Sequence, residues 1–88
     1  MTDELTDEEF RDWIFRRLMR AAFGRNWKQK SGYEDKNMAG RLADRLTDGE
    51  DPYQLKRETS YPEYLPEDAC KEIKARQVKR SSDGGGSA

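Results

Sequence analysis

Residues 6–24 read TDEEFRDWIFRRLMRAAFG, and this stretch decides the fold. Thr6 followed three residues later by Glu9 is a capping-box pattern, in which each side chain satisfies the other's backbone N–H. Asp7, Glu8 and Glu9 fill the first turn, where the helix dipole favours negative charge. Gly24 suits the position just past a helix end, where a positive φ is often needed. These signals predict a helix over residues 7–23.

The faces of that helix carry the functional question. Phe10, Trp13, Ile14, Leu18 and Ala21 fall on one stripe at helical spacing. Phe15, Met19, Ala22 and Phe23 form a second stripe beside it, and Arg16, Arg17 and Arg20 take the remaining arc. One core-facing side needs only the first stripe. A helix that is apolar over this much of its surface is either central to a bundle or covered by a partner. Phe15, Met19 and Phe23 are therefore candidate apolar contacts of an interface, with Arg16, Arg17 and Arg20 supplying charge complementarity beside them.

Downstream, residues 25–33 are basic, hold two aromatics and read as a connection. Met38, Ala39, Leu42, Ala43 and Leu46 share one face of a second helix over 34–47, stopped by Asp48 and Gly49. Asp51 before Pro52 is a cap followed by a first-turn proline, which starts a short third helix over 52–58. Tyr61, Pro62, Tyr64 and Pro66 make a proline-punctuated connection, extended before each proline. A last helix follows over 66–80, acidic at its start and basic at its end, with thin apolar content in Ala69, Cys70, Ile73 and Val78. With one Val and two Ile in the chain and no alternating run, strands have no support. The expected fold is all-α: a small three- to four-helix domain over 6–80, a flexible acidic segment at 1–5, and a flexible, disordered Gly/Ser tail at 81–88.

Composition narrows the chemistry. The chain has 88 residues, of which 33% are hydrophobic and 40% charged, with no His and a single Cys. Without His, neither Ser-His-Asp nor Cys-His catalysis can be assembled, and His-based zinc sites are excluded with them. Residues 44–55 carry an acidic cluster reminiscent of a calcium loop, but Leu46 and Leu55 stand where oxygen ligands are needed. No cofactor and no metal are expected, and a chain this short has little core left to shape a catalytic cleft, so a non-enzymatic role is expected. Cys70 reads as a small buried residue rather than a reactive thiol. No apolar run is long enough to span a bilayer, the N-terminus is acidic rather than signal-like, and a lone Cys cannot form an internal disulfide; residence in the cytoplasm is the expectation.

The net charge of −1 conceals four blocks. Residues 1–12 carry −5, residues 13–30 carry +6 with no acid among them, residues 31–70 carry −5, and residues 71–80 carry +4. The second block is interleaved with aromatics, and cations beside exposed rings are what phosphates and unpaired bases bind. Arg25, Trp27, Lys28, Lys30 and Tyr33 are thus candidate nucleic-acid contacts within the basic segment 16–33. Against that stands a sequence pI of about 5.5, well below the usual range of nucleic-acid-binding domains. A helix-turn-helix reading of 36–47 and 52–58, with Tyr53, Gln54, Lys56 and Arg57 at a groove, is weaker, because its second helix has only two turns. The expectation is a small protein-interaction module, an adaptor, regulator or inhibitor of a larger complex or a subunit of one. It would dock on a protein partner or a second copy of itself through the first helix, with RNA or DNA binding by residues 16–33 as the alternative. Chains of this size and composition also suit phages and other mobile elements.

Overall fold

The structure, a computed structural model, describes the backbone of residues 5–85 and the side chains of residues 5–79. Among these residues the chain is all helix and turn. The capping box at the start of the first helix, α1 (Asp7–Phe23), forms as read: the Glu9 N–H donates to Thr6 Oγ1 at 3.1 Å, and the Thr6 N–H donates to Glu9 Oε1 at 2.9 Å. Gly24 ends α1 with φ 85°, ψ −162°, a conformation essentially reserved for glycine. A one-turn helix, α2 (Trp27–Lys30), follows immediately, where the sequence predicts only a connection.

α3 (Tyr33–Thr47) and α4 (Pro52–Glu58) lie where the sequence places them, α4 being capped by the Asp51 side chain on the Tyr53 N–H. A 3-10 turn, Pro62–Tyr64, leads into α5 (Glu67–Gly85). α5 continues past the expected end near Arg80, taking in residues 81–85 of the expected tail. Residues 86–88 of the expected Gly/Ser tail, and residues 1–4 of the expected N-terminal segment, lie outside the described residues. Leu5 packs against the core.

α1 is the central element. Arg11 reaches Asp44 and the Gly40 carbonyl near the end of α3, while Phe23 at the far end of α1 meets the ring of Tyr64, whose hydroxyl donates to Asp35 in the first turn of α3. The two helices therefore run antiparallel. α5 also lies antiparallel to α1: Arg17 pairs with Glu72 at 2.9 Å, and the Arg76 guanidinium stacks on the Trp13 ring at 4.3 Å. Phe10, Ile14, Leu18 and Met19 of α1, Leu42 and Leu46 of α3, Leu55 of α4, Tyr64, Leu65, Cys70 and Ile73 all belong to one buried cluster. Gln77 of α5 donates to the carbonyls of Leu46 and Glu50, both at 2.8 Å, tying α5 to the end of α3 and the turn that follows it.

α5 is thin in apolar residues, but it wastes none near its start. Ala69, Cys70 and Ile73 are each fully buried. The Cys70 thiol lies 3.5 Å from the Leu65 carbonyl, and burial pushes its pKa up, which suits the packing role expected of it.

Candidate functional site

The second apolar stripe of α1 is covered from within the chain. Met19 is fully buried in the core and has no surface to offer a partner, which overturns its place in the expected interface. Phe15 and Phe23 are half-buried and packed on the core. The Phe15 ring meets Trp27 edge-on, with centroids 5.9 Å apart and planes at 86°, and Phe23 meets Tyr64 with centroids 6.1 Å apart. Such edge-to-face pairs are worth about 0.5–1.5 kcal/mol beyond the area they bury. Both ring partners lie on connections, Trp27 on α2 and Tyr64 on the 3-10 turn.

Two of the arginines expected beside that stripe are also engaged within the chain. Arg16 pairs with Asp12 one turn earlier at 3.1 Å, and Arg17 is held against Glu72 with only 16% of its side chain exposed. Arg20 differs. It sits exposed in the last turn of α1, where a cation complements the helix dipole, and it has no carboxylate partner among the described residues.

From Arg20 onward the local chain chemistry builds a basic end. The Gly24 N–H donates to the Arg20 carbonyl at 2.8 Å, and the positive φ of Gly24 turns the chain so that the Trp27 N–H reaches the Gly24 carbonyl at 3.2 Å. Trp27 then folds onto Phe15. This leaves Arg25, Lys28 and Lys30 exposed, none ion-paired among the described residues, with the Lys28 ammonium 5.7 Å from the Trp27 ring centroid. The Ser31 N–H closes α2 on the Trp27 carbonyl, and the Gly32 N–H donates to Asp35 to start α3. Tyr33, at the first position of α3, is 84% exposed.

A row of rings borders the same end. Phe23 touches Tyr64, and Tyr64 touches Tyr61 with centroids 6.4 Å apart. The Tyr64 hydroxyl reaches Asp35, two residues along α3 from Tyr33, at 3.3 Å. Burial first, then the neighbouring Asp35 carboxylate, pushes the Tyr64 pKa up to about 12. Tyr61 ends the row at the surface, 40% exposed. It lies outside the expected site residues, although its place beside Pro62 in a polar connection is the kind of position from which an aromatic ring reaches solvent.

Arg20, Arg25, Lys28, Lys30 and Tyr33 are thus gathered at one end of the molecule, with Trp27 acting mainly as packing for Phe15. Arg16 and Arg17 lie away from it along α1. The acidic first turn of α1 lies at the other end, about 25 Å distant at 1.5 Å per residue, and the pair between Arg16 and Asp12 joins the two charge blocks away from the basic end. Among the described residues no group of three or more Asp, Glu, Cys or His side chains is arranged to hold a metal ion, and no helix is long and apolar enough to cross a membrane. Tyr53, placed at a groove by the helix-turn-helix reading, packs instead on the core. Comparison with known protein families, with curated proteins and with solved structures finds no match.

Proposed function

We propose that this chain is a non-enzymatic interaction module that docks onto an anionic macromolecule through its basic end. One observation carries the reading: Arg20, Arg25, Lys28 and Lys30 are all exposed, lack carboxylate partners among the described residues, and occupy a segment with no acid from residue 13 to residue 33. Five other cations, Arg11, Arg16, Arg17, Arg45 and Lys74, are paired with carboxylates of this chain, whereas these four share one acid-free stretch of sequence. The recognition is then mainly electrostatic: oriented cations attract and align the partner, with an on-rate and affinity that fall as salt rises.

The expected protein partner keeps a place in this reading as an acidic segment of another chain, since the apolar half of the interface read from the sequence is used up in the core. Retention on an immobilised sulfated polysaccharide tests the shared chemistry. Wild-type protein is expected to be retained at low salt, while a double variant, Arg25→Glu with Lys28→Glu, should pass through with an unchanged helical circular-dichroism spectrum. Wild-type protein that passes through unretained would overturn the proposal.

A further inference from the structure

Resting on that reading, we infer that the anionic ligand of the basic end is single-stranded nucleic acid, with Tyr33 and Tyr61 as the surfaces on which its bases stack. The observations that favour a strand over an acidic peptide are the rings. Exposed large apolar side chains are few among the described residues: Tyr33 at 84%, Tyr61 at 40% and Val78 at 54%. Both tyrosines belong to the basic end. Tyr33 begins α3 directly after Lys30, Ser31 and Gly32. Tyr61 is tied to the same place through Tyr64, which contacts Tyr61 by its ring, Phe23 at the end of α1, and Asp35 of α3 by its hydroxyl. Tyr64 therefore acts as a buried anchor that fixes the exposed ring of Tyr61 against the end of α1, four residues after whose arginine the chain turns at Gly24.

An acidic peptide needs cations but gains nothing specific from exposed phenol rings. A single strand needs both, since its phosphates pair with Lys and Arg while its unpaired bases lie flat on aromatic faces. A duplex keeps its bases stacked internally and offers them to neither ring. The carboxylates facing this end set the strength of binding. Asp35 is occupied by the Gly32 N–H and the Tyr64 hydroxyl, whereas Glu34 and Glu63 are exposed beside the two tyrosines, and Glu67 and Asp68 are exposed in the first turn of α5. They oppose a phosphate backbone, so binding is weak at physiological salt and steeply salt-dependent, which agrees with the low pI of the whole chain.

The test uses the full chain and three probes of fixed length at low salt: oligouridine, an RNA duplex and oligoglutamate, each followed by fluorescence anisotropy. Oligouridine should bind in preference to the other two. Tyr33→Ala should weaken oligouridine binding by roughly fivefold to a hundredfold, the range measured for loss of one base–aromatic stack, and Tyr33→Phe should retain it. Glu34→Gln with Glu63→Gln should tighten it. Tyr61→Ala should weaken it as well, and its circular-dichroism melt shows whether the fold is kept; Tyr33→Ala, at a site already exposed, keeps the proposal testable in either case. Oligoglutamate binding as tightly as oligouridine, with Tyr33→Ala changing neither, would overturn the stacking inference and leave the electrostatic docking reading intact. Failure of every probe, together with no retention on the sulfated polysaccharide, would overturn both.

Discussion

Met19 shows how one residue redirects the functional reading. On the helical wheel it stands with Phe15 and Phe23 as a surplus apolar position, yet its side chain is fully buried. Its stripe-mates Phe15 and Phe23 meet Trp27 and Tyr64, two aromatics on connections, and wheel periodicity says nothing about what a connection folds back onto. Removing Met19 should therefore act on stability. Met19→Ala is expected to cost about 2–5 kcal/mol, in line with other large-to-small core changes, and Met19→Asp should unfold the chain, both read by chemical denaturation. Were Met19→Asp to leave a folded protein with altered association, the residue would belong to a surface after all.

Tyr64 carries the second residue-scale prediction. A folded-state pKa near 12, against 10 for an ordinary phenol, means that the folded chain holds this proton more tightly than the unfolded chain does. The resulting stability is fully present below pH 10 and is lost as pH rises from about 10 to 12. At about 1.4 kcal/mol per unit it amounts to at most about 3 kcal/mol. Tyr64→Phe lacks the titrating group, so wild-type stability should converge toward that of the variant, or fall below it, across this window. A constant difference between the two from pH 8 to 12 would show that folding does not shift the Tyr64 pKa.

At the scale of elements, legibility follows length and punctuation. α1 and α4 were readable to the residue because capping residues, a first-turn proline and a terminal glycine mark their ends. α3 was readable from its apolar face, and begins one residue earlier than that face implies. α2 and the 3-10 turn were not readable as elements, because a single turn has no period to detect. They nevertheless cover α1 and shape the candidate site. Gly24 and Gly40 separate two uses of glycine. Gly24→Ala places a side chain at φ 85° and should destabilise by about 1–3 kcal/mol, while disturbing the basic end that this turn orients. Gly40 is an ordinary helical position whose added Cβ would meet only the tip of the Arg11 guanidinium, at 3.2 Å. That tip belongs to a long, partly exposed side chain that can shift. Gly40→Ala should therefore stabilise the fold through helix propensity, by up to about 1 kcal/mol, read as a higher melting temperature; a lower melting temperature would mean that the Arg11 contact with the Gly40 carbonyl outweighs it.

For the whole molecule, the charge blocks matter more than the net charge of −1. Folding converts alternating blocks along the chain into an acidic start and a basic finish of one central helix, and it spends some of the basic block on internal pairs with Asp12 and Glu72. Sequence blocks alone located residues 13–33 as the region of interest, but could not divide Arg16 and Arg17, held by carboxylates, from Arg20, Arg25, Lys28 and Lys30, left to solvent. For Arg17 that division depends on a contact between α1 and α5 across 55 residues of sequence, whereas the Arg16–Asp12 pair lies within α1. The division moves the candidate surface from the middle of α1 to its end. The most direct check is a two-dimensional amide NMR titration of the full chain with oligouridine at low salt. Shift changes are expected to be confined to the end of α1, α2, the first turn of α3 and the residues around Tyr61, and to vanish as salt is raised. Changes centred on the acidic start of α1 or on α4, or no changes at all, would contradict a strand bound at the basic end.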